Sequence, residues 1–138
     1  MRNILILLWA LLAWPAVAAD VSPPGAIKLV VQVSESDPAR WNLTLNNVRN
    51  AQKEMGAALT DVEIVAFGPG LDMLRDDSEV GPRIQEALSR GVKVLACRNT
   101  MDAMKLKETD LQPKIGFVPA GVVEIIRKQA AGYAYLRP

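Results

Sequence analysis

The sequence predicts an α/β domain: three layers, α/β/α, around a mainly parallel five-stranded sheet of flavodoxin-like appearance. Three observations carry this. Five short apolar runs alternate with stretches of helical periodicity, in the order β-α-β-α-β-α-β-α-β. The strand runs are mostly apolar throughout, as a sheet covered by helices on both faces requires. The connections are short, so each strand–helix–strand unit closes by a right-handed crossover. Strand order is not fixed by such a pattern.

The chain has 138 residues, and its first nineteen read as a secretory signal peptide. Met1-Arg2-Asn3 is a short positive n-region, Ile4 to Trp14 is an apolar h-region, and Ala16-Val17-Ala18-Ala19 offers A-x-A-like cleavage. The apolar run is shorter than a membrane span needs, and no Cys follows it where a lipoprotein signal requires one. The predicted mature chain is therefore exported or periplasmic, about 120 residues long, and sufficient for one domain. Its lead-in, Asp20 to Ala26, is a Ser/Pro/Gly arm.

The elements then follow in order. Ile27–Val33 is a strand rich in β-branched residues. In the polar loop Ser34–Pro38, Asp37 is the predicted N-cap and Pro38 the first helical position. Trp41, Leu45, Val48 and Met55 mark the apolar face of the helix, which Gly56 closes. Asn46, Asn47 and Asn50 crowd its other face. Val62–Phe67 is a second strand, Gly68-Pro69-Gly70 a tight turn, and Leu71–Leu74 a short helical or irregular piece. Arg75–Glu79 is a charged, solvated loop. Pro82 opens a helix ended by Gly91. Val92–Ala96 is a third strand, after which Asn99 or Thr100 is expected to cap a short helix from Met101 to about Lys107. Lys114–Val118 is a fourth strand stopped by Pro119. Val122 to Ala131 is a helix with an apolar stripe of Val122, Val123, Ile125 and Ile126, and Tyr133–Leu136 is the closing strand.

This order puts Cys97, the sole cysteine, where a strand ends and a helix begins. In open α/β sheets that edge is where ligands collect. A helix N-terminus lowers a neighbouring thiol's pKa, and Arg98 would act in the same direction. A reactive thiol is one reading; a small apolar residue filling the sheet end is the other. Histidine is absent, which excludes Ser-His-Asp and Cys-His catalysis and removes the commonest transition-metal ligand. A single cysteine cannot form an internal disulfide. The mature chain carries equal numbers of acidic and basic residues, and lacks the basic cluster that nucleic acid or an anionic membrane would require.

The Gly68–Gly70 turn fits no phosphate loop: Met73 stands where G-x-G-x-x-G needs glycine, and no Gly-Lys-Ser/Thr follows. Asp72, Asp76, Asp77 and Asp102 show no spacing that singles out an acid/base pair, and no metal or cofactor site is expected.

Three segments resemble the exported branch of the DsrE/DsrF-like family: Phe67-Gly68-Pro69-Gly70-Leu71, Val94 to Met101 around Cys97-Arg98-Asn99-Thr100, and Val118-Pro119-Ala120-Gly121-Val122-Val123-Glu124. The closing Gly132-Tyr133-Ala134-Tyr135 matches as well. The resemblance runs from about Lys28 to Pro138. It implies a compact α/β/α domain that forms homotrimers or hexamers. It also implies a sulfur carrier or sulfurtransferase in which Cys97 holds sulfane sulfur as a persulfide and exchanges it with a thiol or persulfide protein. In that picture Arg98 and the amides near Thr100 stabilise the anion and Asn99 orients the loop. Gly68, Gly70, Ser34 and Ser36 wall the pocket. The alternative is a non-catalytic anion-binding or assembly module with an inert Cys97.

Overall fold

The computed structural model describes residues 25–138; the predicted signal peptide and residues 20–24 of the predicted arm lie outside them. The strands are β1 (Ile27–Val33), β2 (Leu59–Ala66), β3 (Lys93–Cys97), β4 (Gly116–Val118) and β5 (Ala134–Leu136). Every pairing is parallel, in the order β4-β3-β2-β1-β5. The chain therefore steps outward from β1 to β4, then returns across the whole sheet to lay β5 on the other side of β1.

Four helices make the crossovers: α1 (Pro38–Met55), α2 (Gly81–Ser89), α3 (Arg98–Met104) and α4 (Gly121–Ala130). The layers are unequal. The larger apolar cluster joins Val31, Ile64 and Val94 of the sheet to Trp41, Leu45 and Val48 of α1, with Ile84 of α2 and Met101 of α3. On the opposite face a smaller cluster, Val30, Val65 and Val118, packs against Ile125 of α4 alone. Burying each such side chain is worth about 1.5–3 kcal/mol. The larger cluster therefore supplies most of the stability, and the α4 side is thinly covered.

Local signals account for most boundaries. Asp37 accepts a hydrogen bond from the Ala39 amide at 2.9 Å and caps α1 behind Pro38. Gly56 (φ +52°) ends α1 in a conformation that favours glycine. Gly68–Leu74 forms a 3₁₀ segment whose Leu71, Met73 and Leu74 are fully buried.

Several boundaries differ from the sequence expectation: β2 begins at Leu59 and not Val62, β3 runs through Cys97, and β5 begins at Ala134. The helix after Cys97 begins at Arg98, with Cys97 itself as N-cap, and Lys105 (φ +57°) ends it before the predicted Lys107. Asn99 and Thr100 are helical, not caps: the Asn99 amide reaches across to the Pro119 carbonyl (3.2 Å), pulling the helix start toward the sheet. β4 is shortened to Gly116–Val118 because Lys114 (φ +65°) sits in a turn. Of the predicted stripe on α4, Ile125 is buried, whereas Val122, Val123 and Ile126 are exposed. Asn46 accepts from the Arg83 guanidinium at 2.6 Å, tying α1 to α2.

Candidate functional site

Cys97 ends β3 at the carboxyl edge of the sheet. Strand alternation turns Val94 and Ala96 toward the larger cluster, so Cys97 faces the α4 side. Its residue exposure is 4%. The sulfur is not sealed among aliphatic side chains, however. The Thr100 hydroxyl and the backbone amides of Gly121, Thr100 and Asn99 lie around it and act on its titration. Burial alone would push the thiol up; these donors outweigh it, and the thiol titrates below its usual 9.0.

Each donor is fixed by the fold. The Gly68 amide donates to Thr100 Oγ1 at 2.9 Å. With a lone pair thus engaged, the hydroxyl proton is free to point at the sulfur. The Gly121 amide is the first of α4, and the helix start lies hard against Phe67: a Cβ on Gly121 would stand 2.9 Å from Phe67 Cβ. Only glycine lets α4 approach this closely. The Thr100 amide lies in the first turn of α3, where amides have no partner within their own helix, whereas the Asn99 amide donates to the Pro119 carbonyl at 3.2 Å.

The other sequence-predicted residues are distributed around this sulfur rather than gathered on it. Arg98 forms an ion pair with Glu108 (2.8 Å), and its guanidinium lies 4.7 Å from the centre of the Phe117 ring; neither contact involves the thiol. Gly68, the Asn99 side chain and Thr100 line a shallow, largely apolar cleft of about 520 Å³ with Pro69, Ala103 and Met104. Asp72 closes one side of this cleft and accepts from Ser36 Oγ at 2.7 Å, so Ser36 belongs to the neighbouring groove. Ser34 Oγ instead accepts from the Gln32 amide and donates to Glu35, both at 3.1 Å. Gly70 is buried against the Val33 carbonyl and is not among the residues lining the cleft. Among the described residues no group of three metal-ligating side chains occurs, and no helix is long and apolar enough to cross a membrane.

Residues 27–138, the whole sheet and all its helices, match the DsrE/DsrF-like family. The chain belongs to that family. Among solved structures it is similar to MTH1491, a protein of unknown function from Methanobacterium thermoautotrophicum. They share 36% identity over 81% of this chain and 99% of that one, with a TM-score of 0.74. It also shares its fold with BT1422, a conserved protein of unknown function from Bacteroides thetaiotaomicron. There the identity is 17%, the coverage is 80% of this chain and 94% of that one, and the TM-score is 0.66. Among curated proteins, none matches the chain. In this DsrE/DsrF-like domain, two of the sulfur's donors come from features that sequence reasoning did not assign: the Thr100 hydroxyl and the Gly121 amide. The signal was present in the Pro119-Ala120-Gly121 segment, where a glycine opens a helix. Its relevance to Cys97 depends on β4 lying beside β3, which no local pattern specifies.

Proposed function

We propose that this chain is an exported carrier of sulfane sulfur, holding it as a persulfide on Cys97. The observation that supports the reading is the polar setting of one buried sulfur, with the Thr100 hydroxyl and the Gly121 and Thr100 amides beside it. These groups favour a thiolate in a place where desolvation would otherwise keep it protonated. In the forward step the Cys97 thiolate attacks the outer sulfur of a donor persulfide R–S–SH. A Cys97–S–SH bond forms, the donor's S–S bond breaks, and R–S⁻ leaves. An acceptor thiolate then attacks that outer sulfur and releases Cys97 again as thiolate. Neither step needs an external oxidant or a histidine. The same donors that favour the attacking anion favour it as leaving group. Family membership and the secretory pattern of residues 1–19 support a thiol relay that works outside the cytoplasm with thiol or persulfide partners.

The test is the mass of protein isolated from its native compartment. One additional sulfur on Cys97 is expected, removable by a thiol reductant and absent from Cys97→Ser. Labile sulfur persisting in the Ser variant would sink the assignment. A second reading, a non-catalytic binding or assembly module with an inert thiol, is favoured by the 4% exposure of Cys97. Thiol titration of the native protein separates the two. Modification at a rate near that of free cysteine supports the carrier, and protection until unfolding supports the module.

Self-association is a second part of the proposal. Val122 (54% exposed), Val123 and Ile126 (59%) form an apolar strip on α4 beside the site. A near-neutral surface leaves little repulsion between copies, and the resemblance implies trimers or hexamers. Ile126→Asp is expected to convert the oligomer to monomer in sedimentation experiments. A wild-type chain that stays monomeric at high concentration would remove the oligomer from the proposal.

A further inference from the structure

The sheet beneath α4 carries a charged cluster that the sulfur chemistry does not use. Glu63, in the middle of β2, is 1% exposed. Lys128 Nζ of α4 lies 2.6 Å from Glu63 Oε2 and 3.6 Å from Glu124 Oε1, one turn earlier on the same helix. Among the described residues neither Glu63 oxygen is hydrogen-bonded by geometry, so the ion pair with Lys128 is what offsets its charge, with Glu124 beside it. Around the pair stand Lys28 of β1, Asp61 of β2, Lys93 of β3 and Tyr133 just before β5. The Tyr133 hydroxyl donates to Asp61 Oδ2 at 2.6 Å, and Asp61 pairs with Lys93 at 2.9 Å. Lys128 Nζ and Lys28 Nζ lie 4.9 Å and 5.6 Å from the Tyr133 ring centre. Burial pushes the Glu63 carboxyl up from its ordinary 4.5, and Glu63 beside Lys128 pushes the ammonium upward, keeping it charged. Stranding one partner of such a buried pair is costly, so the contact grips α4 firmly.

Both ends of α4 are consequently fixed, and the fixed ends do different work. At its start, Gly121 rests on Phe67, and Val118, three residues earlier, pairs with Cys97 in the sheet, which brings the first amide of α4 to the sulfur. In the middle, Ile125 packs on Val30, Val65 and Val118. Near its end, Lys128 is clamped by Glu63. Seven residues of helix, a stiff rod of about 10 Å, connect the clamp to the amide. We propose that Glu63 is a positioning residue for Cys97, anchoring Lys128 and so setting how closely the Gly121 amide approaches the sulfur. This deepens the carrier reading and rests on Cys97 being its working group.

The experiment is the pH profile of Cys97 alkylation by iodoacetamide in the full mature chain. Glu63→Ala and Lys128→Met are each expected to raise the thiol midpoint and slow alkylation at neutral pH by about three- to tenfold, within the range one hydrogen bond to a charged group can supply. Combining them should add little, because they break one contact. Glu63→Gln, which still accepts from Lys128, is expected to restore the wild-type profile. Val48→Ala, a destabilising change in the larger cluster away from α4, should leave the midpoint in place. An unshifted midpoint in both Glu63→Ala and Lys128→Met overturns the proposal, as does an equal shift in Val48→Ala. Should Glu63→Ala fail to fold, Lys128→Met decides, since it retains the apolar stem. The readout is independent of sulfur loading, so a chain that loads sulfur normally with an unshifted midpoint defeats this inference alone.

Discussion

Thr100→Val is expected to return the Cys97 thiol toward its ordinary midpoint and to slow its alkylation at neutral pH by about tenfold or more, the loss of one charge-assisted hydrogen bond. Valine keeps the shape of threonine but removes two interactions: the donor to sulfur and the acceptor for the Gly68 amide. Thr100→Ser retains both and should recover most of the rate. The effect has a definite sign with pH. The folded thiol titrates below its unfolded value, so its hydrogen bonds add stability fully above the usual 9.0 and lose that contribution as pH falls through the folded midpoint. Denaturation of wild type and Thr100→Val should therefore differ most on the alkaline side, with the gap narrowing in acid to the pH-independent loss of the Gly68 contact. Parallel stability curves across that range would show that the hydroxyl does not act on the anion.

Gly70→Ala is expected to destabilise the fold by at least about 3 kcal/mol, beyond the usual cost of overpacking, and to lower Tm by roughly 10 °C or more. An added Cβ would stand 2.3 Å from the Val33 carbonyl oxygen and 2.7 Å from the Ser34 amide nitrogen. The Val33 carbonyl cannot tilt aside freely, because it accepts from the Phe67 amide at 3.1 Å. Gly68, two residues earlier, is the informative contrast. It has a positive φ (+54°) and open space where a Cβ would go, so Gly68→Ala should cost only about 1–2 kcal/mol of backbone strain. Thermal melts of the two variants check this directly. Equal losses would mean that backbone conformation, and not close approach, determines both positions.

The two glycines illustrate how much of the molecule could be read from its sequence. Gly-Pro-Gly after an apolar run announces a tight turn at the sheet edge; the chain does leave β2 there, but directly into the 3₁₀ segment Gly68–Leu74. Nothing in the run distinguishes the glycine that needs its conformation from the one that needs its missing side chain, since that depends on β1 lying beside β2. The same division holds at the site. Cys97 at a strand-to-helix junction follows from hydrophobic periodicity, as do the parallel sheet and the Asp37 cap. Arg98 looked like a neighbour of the sulfur by adjacency in the chain, yet its long side chain finds Glu108 and Phe117 instead. Gly121 is twenty-four positions from Cys97 in the sequence and reaches it only through the β3–β4 pairing. Glu63, a lone acid in the run Val62–Ala66, gave no sign that it was buried. Its partner is contributed by a helix that crosses back over the entire sheet.

That return crossing has a temporal consequence. The segment that completes the sulfur's surroundings, α4, follows Cys97 in the chain and spans from β4 at one edge of the sheet to β5 at the other. A nascent or unfolded chain therefore carries a cysteine of ordinary acidity. The lowered titration of the folded thiol therefore waits on the β4-to-β5 crossover being made and packed.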